Sequence, residues 1–295
     1  MKITYIYHSG FLVESADAYY IFDYYRADFP VTDADKPVYV FVSHRHPDHY
    51  NPYVFEILRE KKVRRMTGII SYDIKPRNYT SHMEGVEIIA AEPDKEYTLD
   101  NGALVRTLRS TDKGVAYVVT FDDGGVPRSV YHAGDLNDWV WEGEDERVNK
   151  WMTGSYRRYL TAVEGMHFDA VMVPVDSRQG DDMFRGIEYL LEKVKADAVY
   201  PMHYWDKPEV IMQFAEKYPQ YADIIRYTED RMDRYSVIED KNPREIVLLR
   251  GSGCVYKKCT FCDYYSDSGK DEDVNYMINR AALSQVTGKY GNIEI

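Results

Sequence analysis

Three imidazoles and a carboxylate stand within six residues of this chain, in His44-Arg45-His46-Pro47-Asp48-His49. Neutral imidazole nitrogen and carboxylate oxygen are donors for divalent transition metals, zinc first, with manganese or iron as alternatives. A His-rich surface turn would carry the same residue types, but the flanks argue against one. Val38-Tyr39-Val40-Phe41-Val42-Ser43 is apolar and rich in β-branched and aromatic side chains, as a buried strand is. The four polar groups therefore sit where a strand ends and a loop begins. Pro47 stiffens that loop, and Tyr50-Asn51-Pro52 then signals a helix over 53–61.

One loop does not surround two ions, so further ligands are expected from elsewhere. Asp135 follows Ser129-Val130-Tyr131-His132-Ala133-Gly134, a short strand running into a glycine turn, where a carboxylate can approach closely and bridge two cations. His203 ends a second short apolar strand, Ala198-Val199-Tyr200-Pro201-Met202. Either residue alone would read as structural. At three strand ends together they read as one metal site.

The order His-x-His-x-Asp-His, then Gly-Asp, then a late His resembles the metallo-β-lactamase superfamily of metallohydrolases. Tyr7-His8-Ser9-Gly10-Phe11-Leu12-Val13 and Tyr20-Ile21-Phe22-Asp23 resemble its first hairpin. Within it, the chain is most similar to the branch of ascorbate-6-phosphate lactonase and related bacterial hydrolases. The resemblance spans roughly residues 1 to 235. It implies an α/β (α+β) fold, a four-layer αββα sandwich with its site at one edge between two sheets.

The resemblance also implies roles. His44 and His46 would bind one metal, Asp48, His49 and His203 a second, and Asp135 would bridge them. Asp48 and Asp135 would be the catalytic carboxylates. The family pattern expects one more His before Asp135, but Leu108-Arg109-Ser110-Thr111-Asp112-Lys113-Gly114 contains none. Asp112 is the candidate substitute; Ser110 or Thr111 could instead hold a water, or a single metal could occupy the second site.

Other side chains have plainer readings. His132 suits a packed or supporting role, because alternation along a strand turns it from Asp135. His8 could hydrogen-bond a ligand carboxylate or be a satisfied core residue. His82 and His167 read as solvated or structural. Asp23 is the carboxylate expected to fix the tautomer of a ligating imidazole. Trp139 and Trp141, in the 136–147 loop, could wall a pocket or pack on a sheet, and the 72–85 loop is a second candidate wall.

A formal charge of -12 disfavours nucleic acid as the main partner. No apolar run has the length of a membrane span, and Met1-Lys2-Ile3-Thr4-Tyr5-Ile6-Tyr7 reads as a strand rather than a signal peptide. A cytoplasmic protein with a small-molecule substrate is expected.

Strand patterns crowd the first half, at 2–7, 10–14, 18–23, 38–42, 67–71, 86–90, 103–109, 115–121 and 128–132. Asp122-Asp123-Gly124-Gly125 makes a hairpin turn between the last two. Over 145–164, Val148, Trp151, Met152, Tyr156, Tyr159, Leu160 and Val163 recur at helical spacing, predicting one core-facing stripe. A strand at 170–175, a helix at 182–195, a strand ending at His203 and a helix from Pro208 to Tyr218 follow. Strands first, then strands alternating with helices, suit two mixed sheets flanked by helices.

Residues 1–240 are expected as the hydrolase domain and 241–295 as an appendage. All three cysteines lie in the latter, in Cys254-Val255-Tyr256-Lys257-Lys258-Cys259-Thr260-Phe261-Cys262, after a strand-like run at 245–250. Three thiolates on one loop could hold a [4Fe-4S] cluster with one iron open, or a zinc site completed by Asp263, or could be idle. Cys-x4-Cys-x2-Cys after a strand resembles the opening of a radical SAM domain, here truncated. The reading is a metal-dependent hydrolase of a small ester, lactone or phosphoester. The alternative is a non-catalytic metal-binding or scaffolding module associated with radical SAM chemistry.

Overall fold

The computed structural model describes residues 1–27, 29–75, 81–205, 207–226, 235–238, 241–249, 251, 275–276, 279, 282–283 and 286–294. They divide into two compact units, Met1–Asp206 with Asp223–Arg226, and Lys207–Ala222 with Tyr227–Ile295.

The first sheet of the first unit takes its strands in chain order: β1 (Lys2–Tyr7), β2 (Gly10–Glu14), β3 (Tyr19–Phe22), β4 (Val38–Val42), β5 (Met66–Ser71) and β6 (Glu87–Ala91). β1 to β3 are antiparallel neighbours, and β3 to β6 run parallel. Parallel neighbours need a crossover, and helix α1 (Val54–Glu60) lies in the one between β4 and β5. The chain then makes an antiparallel meander of β7 (Glu96–Thr98), β8 (Leu104–Arg109), β9 (Val115–Asp122) and β10 (Pro127–His132). After it come α2 (Glu146–Leu160), β11 (His167–Phe168), β12 (Ala170–Pro174), α3 (Arg185–Lys193), β13 (Lys195–Ala196) and β14 (Val199–Met202). The second sheet has the order β14-β12-β10-β9-β8-β7, with β10, β12 and β14 parallel; β11 and β13 form a separate short pair.

Alternation along each strand assigns its two faces. On β3, Tyr20 stacks on Phe121 of the second sheet at 4.7 Å and Phe22 on His132 at 5.1 Å. Its other face, Tyr19 and Ile21, joins Leu12, Val40 and Val42 in a cluster with Val54, Phe55 and Leu58 of α1. Both faces of β3 and β4 are thus covered, which is why these strands read as unbroken apolar runs. On the far side α3 packs on β12, and the Tyr156 hydroxyl of α2 donates to Gly186 O of α3 at 2.7 Å. These are the four layers of the αββα sandwich.

The direction of the strands positions the site. β4 of one sheet and β8, β10, β12 and β14 of the other end at a common edge. There the backbone N–H of Val115, opening β9, donates to Ser43 O, just past β4, at 2.9 Å.

The α2 stripe needs correction. Burial deepens along the helix, so Tyr156 and Leu160 are buried, whereas Val148 and Trp151 are 45% and 60% exposed. Their helical spacing is real, but among the described residues the N-terminal turns receive no covering layer. The helix expected over 182–195 begins at Arg185, after a 3-10 segment at Ser177–Asp182.

The second unit contains α4 (Glu209–Lys217) and a small sheet of β15 (Tyr235–Ile238), β16 (Arg244–Val247) and β17 (Ile293–Glu294). Glu245 of β16 accepts hydrogen bonds from the backbone N–H and hydroxyl of Thr287 at 2.6 and 3.2 Å. Cys254, Cys259 and Cys262 lie outside the described residues. Among those described, no helix is long and apolar enough to cross a membrane.

The two sheets of the sandwich are pinned by a buried phenol. Tyr117 Oη of β9 lies 2.8 Å from Val42 O and 3.1 Å from Ile69 O of the first sheet, as their donor. Tyr117→Phe should cost about 1–2 kcal/mol, the net worth of one buried hydrogen bond plus the unpaired acceptor it leaves. Urea unfolding of the two chains measures this; equal midpoints would show that the hydroxyl is not a tie.

Candidate metal centre

Two groups of donors meet at the shared edge. In one, His44, His46, Asp112 and Asp135 bring a ligand atom each to within 4.8 Å of one another; in the other, His8, Asp48, His49 and His203 do the same. Asp135 faces both. Its Oδ2 lies 3.4 Å from His44 Nε2, and its Oδ1 lies 3.2 Å from His49 Nε2 and 3.6 Å from His203 Nε2. Asp48 Oδ2 is 3.8 Å from His203 Nε2 and 3.9 Å from His49 Nε2. The Asp112 carboxylate stands 3.6 Å from His46 Nδ1, beside the group that lacks a third imidazole.

Hydrogen bonds behind the imidazoles set their tautomers. His49 Nδ1 lies 2.7 Å from Asp23 Oδ2, which makes Nδ1 the protonated atom and leaves a lone pair on Nε2. Ser43 donates its hydroxyl to the same oxygen at 2.6 Å, and so accepts from His44 Nδ1 at 3.0 Å. His203 Nδ1 is held 3.0 Å from Asp176 Oδ2. In each case Nε2 is the atom turned to the donor group.

The loops reach this edge by close approach. A Cβ on Gly114 would stand 1.8 Å from Ser43 O, and one on Gly134 2.5 Å from Ser43 Cβ; both glycines have positive φ. Glycine is required at both, and they bring Asp112 and Asp135 against the end of β4. Non-glycine residues also turn left-handed here: His8 (φ 60°), Asp23 (φ 41°), His203 (φ 65°) and Trp205 (φ 56°). Such strain gathers at functional sites.

These residues fit a divalent metal. Among the described residues, buried His44 Nε2, His49 Nε2, Asp135 Oδ1 and both ring nitrogens of His8 have no hydrogen-bond partner. Buried polar atoms are almost always satisfied, so a convergent set of unpaired donors marks a ligand site. Burial drives His44 and His49 well below the ordinary imidazole pKa, reinforced by the neighbouring imidazoles. Both are therefore neutral, as ligands must be. Burial pushes Asp135 up to about 7. Burial opposes the ionised form of Asp48, but the adjacent His8 Nε2 outweighs it and holds the carboxyl below its usual range. Burial likewise disfavours a charged His203, yet Asp135, Asp176 and Asp48 together raise it.

Above the donors opens a cavity of about 350 Å³, lined by Asp48, Asp135, Trp139, Trp141, Arg178 and Trp205 among others. The Trp139 and Trp141 indoles stack at 5.9 Å and nearly parallel, and Trp139 Nε1 donates to Asp135 O at 2.9 Å. The Arg178 guanidinium lies 5.2 Å from the Trp205 ring and grips Asp176 through Nε at 2.9 and 3.0 Å. Its Nη1 has no partner among the described residues.

Of the expected site residues, His44, His46, Asp48, His49, Asp112, Asp135 and His203 come together, with Asp23 behind them. Thr111 donates to Asn137 O at 2.7 Å, and Ser110 Oγ accepts from Asp112 N at 3.3 Å. His132 is a packed residue, its Nε2 donating to Ser9 O at 2.8 Å and its Nδ1 accepting from Gly134 N at 3.1 Å. His82 pairs with Glu56 and His167 with Asp197, both away from the site. The pocket wall comes from the 136–147 loop and not from the described residues of 72–85. Asp176 and Arg178 were not singled out by sequence. The available signal was position, since Asp176 follows β12 as Asp135 follows β10.

The raised Asp135 has a thermodynamic consequence in metal-free protein. Its folded-state pKa of about 7 exceeds the ordinary 3.8, so the fold holds a proton that the unfolded chain releases between those values. Stability from this group is therefore full below about pH 4 and falls as pH rises towards 7. Asp135→Asn should raise the melting temperature of chelator-treated protein at pH 8 by several degrees, with little change at pH 4.5. Thermal unfolding across that range checks it; a variant less stable than the parent at pH 8 would refute it.

Comparison with known proteins agrees with this architecture. Residues 2–148 match the family model described as the beta-lactamase superfamily domain. Among solved structures, the chain is similar to Igni18, a metallo hydrolase from the archaeon Ignicoccus hospitalis, at 19% identity and TM-score 0.51, covering 77% of this chain and 94% of that one. It is also similar to CmlA, a diiron beta-hydroxylase from Streptomyces venezuelae, at 10% identity and TM-score 0.50, covering 76% of this chain and 52% of that one. At such identities the likeness is one of fold. No curated protein matches the chain. The family match over residues 2–148, the stacked sheets and the strand-end donors agree with a domain of the beta-lactamase superfamily.

Proposed function

We propose that this protein is a metal-dependent hydrolase acting on a small ester, lactone or phosphoester, and that it works in the cytoplasm on a small molecule rather than on nucleic acid. The observation that carries the reading is the set of unpaired buried donors on either side of Asp135, directly beneath an open cavity. His44, His46, Asp112 and Asp135 would hold one ion, and Asp48, His49 and His203 the other with Asp135. Zinc, manganese and iron all accept such donors. When bound, such ions polarise a carbonyl or phosphoryl oxygen and acidify a water.

The chain's own groups supply the rest. Asp48 reaches the cavity, stays ionised, and can accept a proton from an attacking water while holding its lone pair on the substrate. Trp139, Trp141 and Trp205 exclude water from the cavity wall. Arg178 Nη1 can donate to a carboxylate or phosphate oxygen on the substrate, which favours an anionic compound small enough for about 350 Å³. Bond cleavage then separates an acid from an alcohol, with water adding its oxygen to the acid and a proton to the leaving oxygen.

The non-catalytic alternative rests on the imidazole absent from residues 108–114. Asp112 standing beside His46 weakens it, and the open cavity argues for turnover. An iron–sulfur cluster at Cys254, Cys259 and Cys262 is a separate proposal resting on their spacing alone.

Metal-replete protein, assayed under argon and in air, should hydrolyse at least one of a γ-lactone, a carboxylic ester and a phosphoester set, equally in both atmospheres. Chelation should abolish the reaction. Asp48→Asn should lower kcat by roughly 10²–10⁴, the usual worth of a positioned base. A metal-replete chain inert across all three classes would refute the proposal, as would a requirement for oxygen.

A further inference from the structure

His8 is the side chain that the expected ligand scheme leaves unused. It lies in the turn between β1 and β2, fully buried, and both its ring nitrogens lack a hydrogen-bond partner among the described residues. Its Nε2 is 3.3 Å from Asp48 Oδ2, without the alignment of a hydrogen bond. Its ring centre is 4.3 Å from that of His203 and 5.7 Å from that of His49. A core histidine kept for packing would be expected to satisfy its donor and acceptor, because each unpaired buried polar atom costs about 1–3 kcal/mol.

The backbone holds this ring in place from both sides. His8 N donates to the Tyr5 hydroxyl at 2.7 Å, and His8 O accepts from His203 N at 3.3 Å. The residue is left-handed (φ 60°), a conformation uncommon outside glycine and one that His, like Asn and Asp, visits more often than other side chains. Strain, burial and unpaired nitrogens thus coincide on one residue aimed at Asp48, His49 and His203.

We infer that His8 is a metal ligand of the second donor group, so that the imidazole missing beside Asp112 is made up on the other side of Asp135. This rests on the metal-centre reading above. The two groups then differ in chemistry. His8, His49, His203 and Asp48, with the shared Asp135, offer three nitrogens and two carboxylates, a set that suits zinc or cobalt. His44, His46, Asp112 and Asp135 offer two nitrogens and two carboxylates, which shifts preference towards manganese or iron. Loading is stepwise, with zinc entering the His8 group first.

The test uses the full chain with Cys254→Ser, Cys259→Ser and Cys262→Ser, so that thiolates do not compete. Zinc is titrated by calorimetry and cobalt(II) by its visible absorption, in the parent and in His8→Asn, His8→Gly and His49→Ala. Asn and Gly both tolerate the left-handed turn, so at least one variant should fold, as circular dichroism will show. Expected are two zinc steps in the parent and loss of the tighter one in the folded His8 variant, by more than a hundredfold, with altered cobalt bands. Losing a group that merely orients a ligand costs only about 10–100-fold. Two parent steps with only the His49→Ala step lost, or a smaller His8 effect with unchanged cobalt bands, would overturn the role of His8 and leave the centre standing. A parent that binds neither metal would overturn both.

Discussion

One buried carboxylate organises the site. Asp23, at the end of β3, accepts from Ser43 N at 2.7 Å, from Ser43 Oγ at 2.6 Å and from His49 Nδ1 at 2.7 Å. Burial raises its pKa, and these bonds, with the charges nearby, offset that cost. Through Ser43 it also fixes His44, so a single side chain sets one imidazole in each donor group. The hydrogen bond of Asp23 N to Phe41 O at 2.9 Å ties the same residue to the β4 ladder. Position of the metal loop and the protonation of its ligands therefore have one cause.

The fold brings the other donors to that point because the relevant strands share a direction. β8, β10, β12 and β14 end beside the end of β4, so the residues following each, Asp112, Asp135, Asp176 and His203, meet there. Ligand sites at the carboxyl ends of parallel strands are the general outcome of such topologies. The interior between the sheets is aromatic, with Tyr20 stacked on Phe121 and Phe41 edge-on to Tyr117.

Much of this was legible in sequence for a specific reason. The motif at 44–49 places polar donors directly after an apolar strand, and Asp135 and His203 repeat that juxtaposition, so residue type and position agreed at each. Asp112 was legible only as a substitute for something absent. Asp176 and Arg178 were not, because an Asp-x-Arg after a strand is common and its meaning depends on which side chains cross over it. The α2 stripe failed for the complementary reason: periodicity reports which residues share a face, not how far the covering layer extends. Val148 and Trp151 share a face that stays exposed among the described residues.

Strain and unpaired polarity at the site belong to the same account. His8, Asp23, His203 and Trp205 each adopt a conformation costing of order 1–3 kcal/mol, and they sit where buried nitrogens have no hydrogen-bond partner among the described residues. Such costs are large against a total stability of about 5–15 kcal/mol. They persist only if the surrounding structure over-determines the turns, as Tyr5 and the His203 backbone do for His8. A ligand that satisfies those nitrogens recovers part of this cost as binding energy. Metal affinity in this fold is thus partly stored in the protein before any ion arrives, in turns that glycine would adopt without strain but in which only side chains bearing nitrogen or carboxylate can serve as donors.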